Sequence, residues 1–533
     1  MTELPADLQS LIESYKTWKQ ELNIGNLAEV ITVDEVAARV ASFYEKIRSV
    51  VDWKEEHLLR KTVIERILKR RTLLKRGLLV GVAGREHIFN FIAELIRGGH
   101  FPNGRIPSVK VDEIQTILNK YIFLIEKSLF QRRARKIENW LLQVASYEIE
   151  IALDPHIREV NLIEYMAQDF INKLELREEN KGLISEDERK LQIYLGVHRA
   201  LFKMDDPVLT YHLLERLYPD WRAPSNESIQ SISSDIIGIQ AVIGKVLKHP
   251  LSESFYRIAE QYDTLYLILS DVISEDPENF TKIVSGGSLE EKIDLAYKSR
   301  LAKLKGKVGR AALYSTISIF VTKVLFVLAL EIPVDRYFHG SLNYTAIALS
   351  IVAPPLLMMI LLLSVKLTSA PNLQDVKHGV LKLMDANNRQ TYYLAIPRKK
   401  RLAQVLFLDV FYFLSFLFSF WLLSWMLYRA HFGPFSIVVF AMFISLVSFA
   451  GTKIQSRGRE LMVGEVKTGF ISSLIDFLFL PIVQVGKWLS NQLIRYNAIV
   501  FLFNFLIEAP LQIFVEFLEQ WRAFLKEKKE RIH

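Results

Sequence analysis

The sequence predicts an all-α protein in two parts: a large cytosolic helical domain, then a polytopic transmembrane helix bundle. Three observations carry this. The 533 residues are 50% hydrophobic with a mean hydropathy of +0.17, yet 24% are charged. That is too apolar for an ordinary soluble enzyme and too charged for a chain embedded throughout. The apolar excess sits in the second half, in uncharged runs such as FYFLSFLFSFWLL. Charge divides the same way. Residues 1–300 hold 41 Lys+Arg against 46 Asp+Glu, net −5, and residues 301–533 hold 26 against 13, net +13, within a total of +8.

The chain opens MTELPADLQS, with no basic stretch leading into an apolar one, so no cleavable signal peptide is expected. Cysteine is absent. This removes thiol nucleophiles, CxxC redox pairs, iron–sulfur ligation, cysteine zinc sites and disulfides.

Residues 1–300 read as helix after helix. Thr32-Val-Asp-Glu35 has the form of a capping box. It leads into Val36, Val40, Phe43, Ile47 and Val50, a coiled-coil seam of about two heptads that suits an intramolecular hairpin. Helical periodicity continues near 86–97, 111–130, 134–152, 157–175, 186–204, 207–217, 228–247, 253–274 and 288–307. Gly98-Gly99, Asp154-Pro155, Tyr218-Pro219-Asp220 and Ser285-Gly286-Gly287 supply the breaks. A sub-boundary is expected near 219–228.

Four spans follow, roughly Ala311–Leu330, Tyr344–Val365, Leu402–Leu427 and Phe435–Ala450. A span needs about 20 apolar residues, so the fourth must use its flanks. Six basic residues from Lys298 to Arg310 precede the first span. The first connection carries only Arg336, beside Glu331 and Asp335, and the third only Arg429. The middle loop, 366–401, holds eight, ending in Arg398, Lys399, Lys400 and Arg401, and more follow span four. By the positive-inside rule both termini and the middle loop are cytosolic, and the protein is a multi-pass component of the plasma (inner) membrane. Arg398, Lys399, Lys400 and Arg401 are candidate contacts for anionic lipid headgroups.

Within the middle loop, Val380–Met384 and Thr391–Ile396 flank an Asn/Asp-rich turn and resemble a β-hairpin. A short amphipathic helix from Leu373 competes for the first arm. After Lys467, Phe470–Val485 and Tyr496–Val515 are apolar but interrupted by Asp476, Pro481, Glu508 and Pro510. We read 468–533 as interfacial helices; a third hairpin, making six spans, is the alternative. Leu511, Phe514, Leu518, Trp521 and Leu525 form one amphipathic stripe.

Candidate chemistry is sparse. Span one carries Ser315, Ser318 and Thr322 with Thr316 and Lys323; span three carries Asp409, Tyr412, Ser415 and Ser419. Lys323 and Asp409 are candidate counter-charges of a polar pathway, with Asp476 and Glu508 as further intramembrane acids. Interhelical hydrogen bonding is the ordinary explanation for such stripes. Pro354–Pro355 is expected to kink span two. The clusters Lys69–Arg76 and Arg132–Lys136 read as solvated faces first and lipid contacts second. No HExxH, Walker A, GxGxxG or GxSxG motif occurs, so no catalytic residue, metal or cofactor is assigned. Val80–Gly84 reads as a helix-capping turn.

Three functions remain open from sequence. A membrane-anchored adaptor, whose residues 1–300 bind a cytosolic protein partner, is preferred. A small-solute or ion transporter using Lys323 and Asp409 comes next, then a membrane enzyme acting on lipid. The bilayer and its anionic headgroups are expected partners, and nucleic acid is not.

Overall fold

The computed structural model describes residues 4–23, 29–36, 38–42, 56–74, 84–129, 133–176, 184–339, 343–363, 370–385, 391–394, 402–464, 470–495 and 509–530. Most of them are helical, with almost no strand. In chain order the first elements are α1 (Ala6–Asn23), α2 (Glu56–Leu74), α3 (Arg85–Arg97), α4 (Lys110–Ser128), α5 (Ala134–Leu153), α6 (Ile157–Lys173) and β1 (Leu174–Leu176). Then come α7 (Glu186–Phe202), α8 (Asp206–Leu217), α9 (Asn226–Ser234), α10 (Ile236–Leu247), α11 (Ser252–Glu275) and α12 (Phe280–Ser285). The second half holds α13 (Leu289–Phe326), a π-helical turn (Val327–Glu331), α14 (Ile332–His339), α15 (Tyr344–Leu363), α16 (Ala370–Leu383), β2 (Tyr392–Leu394), α17 (Leu402–Arg429), α18 (Pro434–Arg457), α19 (Phe470–Arg495) and α20 (Ala509–Glu530).

The chain divides into two compact units. One comprises 1–282, 384–396 and 502–533; the other comprises 283–383 and 397–501.

In the first unit the helices start where local chemistry dictates. Ser185 and Glu188 form a reciprocal capping box at α7, and Asp205 caps α8 just ahead of Pro207. The segment beginning at Glu35 is capped by Asp34, whose side chain accepts from the Val36 N–H, and not by Thr32. Most of the expected seam, residues 43–50, lies outside the described residues. The α4–α5 and α7–α11 pairs dominate the packing. At the second, Gly196 lets α7 approach so closely that a Cβ there would sit 3.0 Å from the Phe255 backbone. In the 218–225 loop Trp221 is fully buried.

The predicted hairpin is not formed. Its first arm is helical, the C-terminal part of α16, as the competing reading proposed. The second arm contains β2, which pairs in parallel with β1, Leu174 opposite Tyr392. Aromatic packing holds it there: Tyr392 stacks on Phe170 at 4.9 Å and leans on Tyr262 at 4.5 Å. Tyr392 and Leu394 are buried while Tyr393 is exposed, the alternation a strand requires.

In the second unit four helices are long and apolar enough to cross a membrane: Leu289–Tyr337, Tyr344–Leu363, Gln404–Arg429 and Pro434–Arg457. The fourth reaches 24 residues, about 36 Å, so its flanks do extend it. α18 is the hub, packing on α13, α15, α17 and α19. Small residues permit this. A Cβ on Gly486 of α19 would overlap the Ser445 carbonyl oxygen of α18. Phe470–Arg495 is thus one continuous helix packed on α17 and α18. Residues 496–508 lie outside the described residues. In the first unit, α20 leaves Phe514, Phe517, Trp521 and Leu525 exposed.

Candidate functional site

Helix α13 and the π-turn bury one narrow line of residues: Leu304, Val308, Ser315, Lys323, Val327 and Glu331. Successive members lie four, seven or eight residues apart, close to one or two helical turns, so they share one side of the helix. Ser318 and Thr322, expected with Ser315, are exposed instead. Two ionisable groups therefore lie on the buried line, Lys323 at 0% and Glu331 at 1% exposure.

They are partners. Lys323 Nζ donates to Glu331 Oε1 at 2.5 Å. Ser350 of α15 donates to Glu331 Oε2 at 3.1 Å, so both carboxylate oxygens are occupied. The ammonium also sits 4.8 Å from the centroid of the Phe443 ring of α18, over its electron-rich face. A lysine in a spanning helix costs about 2.5–3.5 kcal/mol on insertion scales, and these contacts offset that cost.

The π-turn brings Glu331 round toward Lys323. Eight residues of regular α-helix would leave Glu331 roughly 80° around the axis from Lys323. The wider i→i+5 turn at Val327–Glu331 takes in an extra residue and rotates Glu331 back onto the buried line.

Glu331 forms part of the wall of a cavity of about 680 Å³. The other walls are Asp335, Asn343, Ser350, Tyr428, Arg429, His431 and Ser436, with apolar neighbours between them. All cluster at the end of the bundle that carries the 339–343 and 429–434 connections. Ser350 is seven residues into α15, so the cavity reaches about 10 Å down the bundle. The volume has room for on the order of twenty waters.

Its rim is organised. Asn343 caps α15 by accepting from the Thr345 and Ala346 N–H groups, and its amide donates to the His431 carbonyl. Ser436 donates to Asp335 at 3.1 Å, joining α18 to α14. Arg429 lies over the Trp425 ring. His431 has φ +60°, a left-handed conformation at the end of α17 where glycine is the usual residue. A side chain there costs roughly 1–2 kcal/mol, and here it belongs to a histidine at the cavity wall.

Of the sequence candidates, Lys323 belongs to this site and Asp409 does not. Asp409 is exposed on α17, so it is not the counter-charge of Lys323; Glu331 is. The stripe near Asp409 binds helices together: Tyr412 donates to Gln484 Oε1 and Ser419 to the Leu478 carbonyl, both on α19. Asp476 is on α19, but its side chain lies outside the described residues. So do Glu508 and Arg398, Lys399, Lys400 and Arg401. Sequence reasoning missed Glu331, because hydropathy ended the span at Leu330 and placed the next acids in a loop.

Elsewhere, Arg70 and Arg71 both pair with Glu94, and Lys69 with Glu65. Gly84 precedes α3, and its carbonyl accepts from the His87 N–H. Among the described residues no group of three His, Asp or Glu is placed to hold a metal ion.

No protein-family model matches the chain. No curated protein and no solved structure matches it either.

Proposed function

We propose that the chain is a multi-pass membrane protein whose bundle moves protons through the Lys323–Glu331 site. The observation that carries this is a fully buried ion pair at the floor of a polar cavity, at the depth of a spanning helix. Intramembrane ionisable residues facing a cavity mark ion and proton routes more often than they serve packing. His431, Asp335 and Glu331 give the cavity three protonatable groups.

The chemistry balances with one proton. A proton arriving through the cavity neutralises the Glu331 carboxylate and releases Lys323 from its counter-charge. Lys323 then gives its proton to a water molecule on the side away from the cavity, which carries it to the opposite face. The neutral amine takes the proton held on Glu331, which restores the pair. The π-turn between the two residues is the natural pivot, because its hydrogen bonding differs from that of the flanking helix.

The distribution of Lys and Arg supports an orientation with both termini and residues 1–300 in the cytosol of an inner-membrane protein. The cavity then opens on the far side. An adaptor role for the helical unit is a second, compatible reading. Its support is the exposed aromatic face of α20, which suits a partner helix or the bilayer surface.

Proton flux into proteoliposomes under an imposed potential, read by an internal pH dye, tests the first reading. Wild type should conduct, Glu331→Gln and Lys323→Met should not, and Asp409→Asn should match wild type. Unchanged flux in Glu331→Gln would overturn the assignment.

A further inference from the structure

A second cavity, of about 860 Å³, lies wholly within the helical unit, between the start of α5 and the length of α10. Four cations surround it: Arg133 and Lys136 from α5 and its approach, Lys245 and Lys248 from the end of α10. All four are exposed, and among the described residues none has an acidic partner. The acid at this cavity, Asp206, is bonded to Arg199 at 3.0 Å. His249 adds a donor. Its Nδ1 accepts from the Leu251 N–H, which leaves the proton on Nε2. This concentration of positive charge stands out within residues 1–300, whose net charge is −5.

The floor is apolar. Ile137 and Ile243 are buried beneath the cations, and Trp140 is half-buried beside them. α10 itself is an apolar helix of 12 residues, about 18 Å, too short to cross a hydrocarbon core. It still leaves Ile237 43% and Val242 51% exposed. Cations around an apolar trough, on a helix of this kind, form an arrangement complementary to an anionic amphiphile. A nucleic acid would call for a longer cationic track with several stacking aromatics, and this groove has one.

We propose that this groove binds one anionic phospholipid, its phosphate held by Lys245, Lys248, Arg133 and Lys136 and its glycerol and first methylenes on the apolar floor. The site does not depend on the proton-pathway reading. It would tie the helical unit to an anionic leaflet independently of the spanning helices.

Because the chain has no cysteine, Ile237→Cys places a single bimane label at the groove of the full chain in detergent. Dioctanoyl phosphatidylglycerol should give a saturable blue shift, half-saturating at least tenfold lower than dioctanoyl phosphatidylcholine. Adding Lys245→Gln and Lys248→Gln should raise that half-saturation tenfold or more while leaving the thermal unfolding midpoint unchanged. Equal responses to the two lipids would overturn the proposal. So would a response indifferent to the lysine substitutions, or displacement of the lipid by an acidic peptide or a single-stranded oligonucleotide at lower concentration. If Ile237→Cys does not fold, Val242→Cys carries the same label.

Discussion

Among the described residues, two buried Lys–Glu pairs share the same 2.5 Å contact, one in each unit, and their surroundings differ. In the helical unit, Glu148 accepts from Lys120, from the Tyr121 hydroxyl at 2.6 Å and from the Trp221 indole at 3.2 Å. Lys120 also donates to the Trp221 carbonyl and packs on both rings. Burial pulls Lys120 down and pushes Glu148 up, and this dense set of donors and acceptors offsets it. The pair clasps α4, α5 and the 218–225 loop. In the bundle, Glu331 takes one hydroxyl, Lys323 faces one ring, the pair sits across a π-turn, and Glu331 borders the 680 Å³ cavity. Burial and charge are equal in the two places. Saturation and access separate the clasp from the site proposed to exchange protons.

The largest expected effect falls on the clasp. Lys120→Met leaves Glu148 charged and partly unpaired in a closed core, and should destabilise the helical unit by about 3–5 kcal/mol in thermal unfolding. The double replacement Lys323→Met/Glu331→Leu should leave the bundle within about 1 kcal/mol of wild type while abolishing flux. If the double variant unfolds as readily as Lys120→Met, the contrast between clasp and site fails.

A neighbouring buried acid sharpens the helical side. Glu150 has one carboxylate oxygen without a hydrogen-bond partner, and burial raises it from 4.5 to about 8. The folded state therefore binds a proton that the unfolded state releases above about pH 4.5. Stability from this group is fully present below that pH and is lost as pH rises toward 8. Glu150→Gln should match wild type in stability near pH 4.5 and exceed it increasingly toward pH 8, by about 5 kcal/mol at most. A constant difference across that range would remove Glu150 as the cause.

On the bundle side, close backbone approach should matter more than charge. Gly486→Ala would drive a Cβ into the Ser445 carbonyl and should cost about 1–3 kcal/mol. A neutral result would mean α19 packs elsewhere. The smallest effect is also the most specific. His431→Gly should raise the stability slightly, by about 1 kcal/mol, because glycine takes φ +60° without strain. Flux should nonetheless fall. A variant both more stable and fully conducting would exclude His431 from the pathway.

The helices were largely legible in the sequence, because periodicity and Gly/Pro breaks are local signals. The ends predicted near 86–97 and 207–217 lie within a residue of α3 and α8. Lys323 was legible too, as a charge inside an apolar run. Its partner was not, since a π-turn leaves no compositional mark and Glu331 follows the apolar stretch directly. β2 shows the same limit. The strand-forming character of Tyr392–Leu394 is local, but its partner is a three-residue strand more than 200 positions earlier, fixed by Phe170 and Tyr262. Asp409 misled because opposite charges in two apolar helices need not face each other, and Asp409 is exposed on α17.

The central claim is that water reaches the Lys323–Glu331 pair through the cavity. Ser350→Cys, which would be the single cysteine of the chain, places a thiol beside Glu331. A small, membrane-impermeant methanethiosulfonate cation applied from the face bearing the 339–343 and 429–434 connections should modify it. The rate should fall within about tenfold of that of an exposed Tyr344→Cys control. A thiol that stays unmodified from both faces, or reacts only with a lipid-soluble maleimide, would contradict the account.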